Sequence, residues 1–99
     1  MELTEIRSAL DQIRSLATEI AAIPEDHRIV AYRSVDPLFL KLEGHLREHP
    51  DGAASRLLDE IRLIVIIMAR LDDANGEPDA VNLQRLGSLV DELGKTLCR

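Results

Sequence analysis

The sequence predicts an all-α fold, an up-down helical bundle of about four helices joined by short connections. Three observations carry that expectation. Apolar residues recur at spacings of three and four through most of the chain. Breaks containing proline or glycine cut it into helix-length pieces. No segment alternates long enough to argue for a half-buried strand. Ninety-nine residues is one domain's worth of chain, residues 1–99, with a single core. That core has to be aliphatic, because apolar residues make up 45% of the sequence while Tyr32 and Phe39 are its two aromatics.

In the first helix Leu3, Ile6, Leu10, Ile13, Ala17 and Ile20 form one apolar stripe, flanked by Arg7 and Arg14 on one side and Glu5, Gln12 and Glu19 on the other. Pro24 ends it, since the residue before a proline avoids α geometry. Pro24-Glu25-Asp26 then opens the next helix, with acids at the positive end of the helix dipole. Asp36-Pro37 repeats such a start inside this segment, so residues 24–48 are expected to form either one helix kinked at Pro37 or two short ones split there. Leu38, Phe39, Leu42 and Leu46 supply its apolar face, and His49-Pro50-Asp51-Gly52 ends it as a turn.

The third helix, roughly residues 53–72, is apolar over an arc of about 220–240°, far beyond the roughly 100° stripe of a surface helix. Leu57, Ile61, Ile64, Met68 and Leu71 centre the face, and Leu58, Leu63, Val65, Ile67 and Ala69 widen it. Ile64-Val65-Ile66-Ile67 alone would suit a strand, but no breaker falls between Ala53 and Leu71, and helix is expected. After a polar loop at residues 72–79, Leu83, Leu86, Val90, Leu93 and Leu97 mark the last helix. Ala80, Gly87 and Gly94 recur every seven residues along one edge of its face. Glycine inside a helix costs about 1 kcal/mol relative to alanine, so close packing of another backbone against this edge is one expectation. Simple tolerance of the two glycines is the other.

Charge excludes some partners. The net charge is −6, spread evenly over both halves without a basic patch, so nucleic acid is not an expected partner. The longest nearly apolar run, Ile61 to Leu71, contains Arg62 and Arg70 and is too short to span a bilayer, so no membrane role is expected. Met1-Glu2 leads straight into the first amphipathic pattern without a signal-type segment, and the expected location is cytoplasmic. Cys98 is the sole cysteine, which leaves no internal disulfide and the expectation of a free thiol.

Four constellations invite a chemical reading. His45-Leu46-Arg47-Glu48-His49 has the H-x-x-E-H form and resembles the inverzincin metalloprotease motif. That resemblance implies zinc on the two histidines and Glu48 as general base. It covers five residues, and those far larger proteases add a third ligand from a distant helix. Here His49 abuts Pro50, so solvent-facing histidines at a helix end, with no metal and no cofactor, are expected. The four-helix phosphotransfer domains are similar in size and acidity, but neither His27-Arg28-Ile29-Val30 nor His45-Leu46-Arg47-Glu48 fits their H-x-L-K-G pattern. Leu3 to Ile13, with Ile6-Arg7 and Leu10-Asp11, resembles the opening helix of the all-α chorismate mutases. The resemblance implies that Arg7 binds a substrate carboxylate, joined by Arg14 or Arg28. Pro24 falls where that family's first helix continues. Asp73-Ala74-Asn75-Gly76 suggests part of a calcium loop, but Leu71 and Asn82 stand where acids are required.

With no constellation complete, the expected function is protein–protein interaction without catalysis, as an adaptor, a chaperone-like protein or an immunity or anti-factor protein. A small enzyme of the chorismate-mutase type is the alternative. The partner is another protein or a second copy of the chain. The wide arc of the third helix argues for a homodimer. Ile66, ringed by Asp59, Arg62, Arg70 and Asp73, is the candidate centre of a self-complementary patch, with the Ala80/Gly87/Gly94 edge as the other candidate interface.

Overall fold

The computed structural model describes residues 2–69 and 78–98, and among these it contains four α-helices and no strand. They are α1 (Leu3–Ala22), α2 (Glu25–Glu48), α3 (Gly52–Met68) and α4 (Asp79–Leu97). The fold is the helical bundle expected from periodicity. The third helix as described ends at Met68; Arg70, Leu71 and the loop residues 72–77 lie outside the described residues.

The segment around Pro37 is continuous. α2 runs unbroken from Glu25 to Glu48 with Pro37 inside it, so it is not split. The ring is exposed, as is Arg33 one turn earlier, whose carbonyl loses its intrahelical donor. That carbonyl therefore lies on the side of the helix that water reaches, where the missing bond is cheapest. Asp36 does not cap a new helix. It serves in an ion pair described below.

Asp51, read in the sequence as part of a turn, is the N-cap of α3. Its carboxylate accepts hydrogen bonds from the amides of Ala53 (3.0 Å) and Ala54 (3.1 Å), two of the donors that a helix start leaves without partners. Asp51→Ala is expected to destabilise the fold by about 1 kcal/mol, read as a shifted urea midpoint with an unchanged slope.

The core is aliphatic around one aromatic ring. Ile6, Ile13, Ala17 and Ile20 of α1 meet Val35, Phe39 and Leu42 of α2, Leu58, Ile61, Val65 and Met68 of α3, and Leu86, Val90 and Leu93 of α4. α3 touches all three other helices, as α1 does. This accounts for its wide apolar arc. Ile64 and Ile67 are buried within the chain, Leu57 and Ile66 are half-buried, and Leu63 is the residue of the arc left 50% exposed. The arc therefore does not by itself call for a second copy, contrary to the expectation from sequence, because three neighbours cover most of the circumference.

Candidate functional site

Arg28 is a heavily engaged buried side chain where three helix ends meet. It is 6% exposed, and its guanidinium reaches three helix-end carbonyls: Nε donates to Ile23 (3.1 Å), Nη2 to Ala21 (3.2 Å) and Nη1 to Met68 (3.1 Å). Nη2 also meets Asp79 Oδ2 at 3.0 Å. Helix C-termini present carbonyls without intrahelical donors and the negative end of the dipole, and a planar five-donor cation suits both. Arg28 thus ties the ends of α1 and α3 to the first turn of α4. With its donors committed to the backbone, it is withdrawn from the substrate-binding role that the mutase resemblance implied.

About one turn after Asp79 in α4, Asn82 is completely buried, with neither amide atom hydrogen-bonded among the described residues.

The other two arginines of that resemblance do share a surface. Arg7, Leu10, Asp11 and Arg14 of α1 face Val90, Asp91, Gly94 and Lys95 of α4 across a groove of about 550 Å³ that is open to solvent. Arg14 pairs with Asp91 and also donates to the carbonyl of Gly87 (3.3 Å). The cations line an open groove rather than a closed cavity, and two carboxylates lie among them.

Among the described residues, no backbone packs against Gly87 or Gly94 on the small edge of α4. Ala80 is exposed. A Cβ built on Gly87 would have no neighbour within 4 Å, and one on Gly94 would make an ordinary contact of 3.6 Å with Leu10 Cδ1. Gly87→Ala is therefore expected to stabilise the chain by several tenths to about 1 kcal/mol in urea denaturation. A loss of stability would mean that something outside the described chain packs there.

Around Ile66 the picture also changes. Asp59 is exposed, but Arg62 reaches across to α2 and is not a free partner for a second copy. Its Nη1 lies 2.6 Å from Glu43 Oε1 and its Nη2 3.0 Å from Asp36 Oδ1. Tyr32 first, then Glu43 and Asp36, hold the guanidinium above its ordinary pKa against the opposing effect of burial. Arg70 and Asp73, the remaining charges of that ring, lie outside the described residues.

His45 and His49 stack one turn apart with ring centroids 4.8 Å apart. His49 is exposed, as expected, whereas His45 is half-buried beside Thr96 and Leu97 at the end of α4, with Nδ1 enclosed and unbonded. Among the described residues, no three His, Cys, Asp or Glu side chains cluster as a metal would need. Burial, aided by the charge of His49 and opposed by Glu48, lowers the His45 pKa below its usual 6.5. The folded state therefore binds this proton less readily than the unfolded chain. His45 should contribute stability above pH 6.5 that is lost as pH falls through the depressed folded value. Urea titrations from pH 8 to 5 should show that decline, and His45→Gln should flatten it.

The outward face of α2 was not legible from the sequence as a site. Its core-facing residues are Val35, Leu38, Phe39, Leu42 and Leu46, yet Ile29 (47% exposed), Val30 (62%) and Leu40 (51%) point to solvent with Pro37. Half of the large apolar side chains left exposed in the described residues are on this one face. The signal available was their spacing, offset from the Leu38/Leu42/Leu46 stripe.

Compared with known protein families, with curated proteins and with solved structures, the chain matches none. No helix among the described residues is long and apolar enough to cross a membrane.

Proposed function

We propose that this chain is a protein–protein interaction module without catalytic activity, acting in the cytoplasm on another protein or on a second copy of itself. The single observation that carries the reading is the solvent face of α2, where Ile29, Val30 and Leu40 stand exposed although the bundle already has a complete core. Ile29 and Val30 are neighbours and Leu40 lies about three turns further along the same face of a continuous helix, and an apolar helix face left open to solvent is one form that docking surfaces take. The enzyme alternative finds less support. Arg28 is committed to backbone carbonyls, Arg14 to Asp91, and Arg7 lines an open groove that would not exclude water from a reaction.

Affinity capture from the native cells, with the wild-type chain and an Ile29→Lys/Leu40→Lys variant as baits, tests the reading. A protein, or the untagged chain itself, should be enriched severalfold by the wild type and lost with the variant. Capture that does not depend on these two residues would remove the proposal.

A further inference from the structure

Resting on that reading, we infer that the occupant of the α2 face is a second copy of this chain, docked antiparallel about a two-fold axis that passes between Asp36 and Pro37. At 100° per residue, Ile29, Val30, Pro37 and Leu40 share an arc of about 100° with Asp26, Arg33, Gly44 and Arg47. An antiparallel two-fold sets each residue before the axis against the residue equally far beyond it. Asp26 lies as far before Asp36 as Arg47 lies after Pro37, so each acid meets an arginine of the other copy at both ends of the contact. Ile29 stands in the same relation to Gly44. A Cβ at Gly44 would have no neighbour within 4 Å, so this position is an open notch opposite an exposed isoleucine of the other copy. The aliphatic stem of Arg33 falls on Leu40. Arg33 and Arg47 have no ion pair or hydrogen bond to the described residues, and Asp26 has a contact at 3.9 Å with the exposed His27. The charges at both ends and the fit of Ile29 to the Gly44 notch therefore agree in one register, in which Val30 falls level with Glu43 and Leu40 with the stem of Arg33.

One helix face is small for an interface, so the dimer should be reversible and visible across a concentration series. Light scattering on a sizing column is run for the wild type, Asp26→Arg, Arg47→Asp, the double swap and Leu40→Glu. The wild-type mass should climb from 11.1 kDa toward twice that value as concentration rises. Each single swap replaces two attractions with two repulsions and should weaken the dimer by about tenfold. The double swap should restore it, and Leu40→Glu should abolish it, with helical content unchanged in every variant. A wild type monomeric throughout, a dimer indifferent to the single swaps, or a double swap weaker than either single one would overturn the inference. None of these touches the interaction-module reading, which stands or falls on the capture experiment.

Discussion

Replacing Arg28 with methionine is expected to destabilise the fold by about 3–5 kcal/mol, the largest effect of any single polar substitution here. The guanidinium is 6% exposed and serves the carbonyls of Ala21, Ile23 and Met68 together with Asp79. Methionine keeps much of the side chain's volume but none of its donors. The buried Met68 carbonyl is then left unpaired, at a cost of about 1–3 kcal/mol, and the part-buried carbonyls of Ala21 and Ile23 and the Asp79 carboxylate each lose one partner at smaller cost, because water can reach them. Lysine preserves the charge but not the fork. A single ammonium does not reach three carbonyls and a carboxylate in the same plane, so Arg28→Lys should recover only part of the loss. Urea denaturation of the three proteins gives the order. A methionine variant within 1 kcal/mol of the wild type would mean that the cluster contributes orientation rather than stability.

Asn82→Leu is expected to act in the other direction, stabilising by about 1–3 kcal/mol. The asparagine is fully enclosed in α4, ahead of the buried Leu86, Val90 and Leu93, and neither amide atom has a hydrogen-bond partner among the described residues. Among the described residues, nothing replaces the water that this amide gives up on folding. Leucine shares the branch at Cγ and removes the desolvation cost, although its tetrahedral methyl groups need more room than the planar amide. Overpacking would show as a lost denaturation midpoint, and Asn82→Ala separates the two effects because it removes the amide without adding volume. Because alanine leaves a cavity that costs stability by itself, the sign is read from Asn82→Leu, and a leucine variant no more stable than the wild type would overturn the expectation.

The sequence made the helices legible because repeated apolar spacing is a local, additive signal. α1 with Ile6, Leu10, Ile13, Ala17 and Ile20 and α4 with Leu86, Val90 and Leu93 lie where the three-four pattern puts them. Rules that depend on tertiary context were less legible. Asp36-Pro37 has the chemistry of a helix start, yet the helix continues, because the missing hydrogen bond falls on the exposed side and Asp36 is claimed by Arg62 from another helix. Arg28 and Asn82 look like surface residues in a one-dimensional reading. Their burial depends on where three helix ends converge, which no spacing rule encodes. The candidate site was the least legible part. The patch around Ile66 was drawn from one helix in isolation, and it lost Arg62 once α2 was set beside α3. The exposed face of α2 emerged only when the core had shown which apolar residues it leaves out.

The seam between α2 and α3 also gives the molecule its own optical reporter. Tyr32 is the single tyrosine and the chain has no tryptophan, so its near-ultraviolet emission arises from one place. The ring is half-buried in α2, packed against the core, and its hydroxyl lies 3.4 Å from Asp36 Oδ1, one of the two carboxylates that hold Arg62 of α3. Tyrosine emission therefore follows the opening of this one seam, whereas far-ultraviolet dichroism follows all four helices at once. If the bundle unfolds in a single step the two signals will coincide at every urea concentration. If α2 parts from α3 first, fluorescence will change while helical content is still intact, and the order of disassembly can be read without attaching a label.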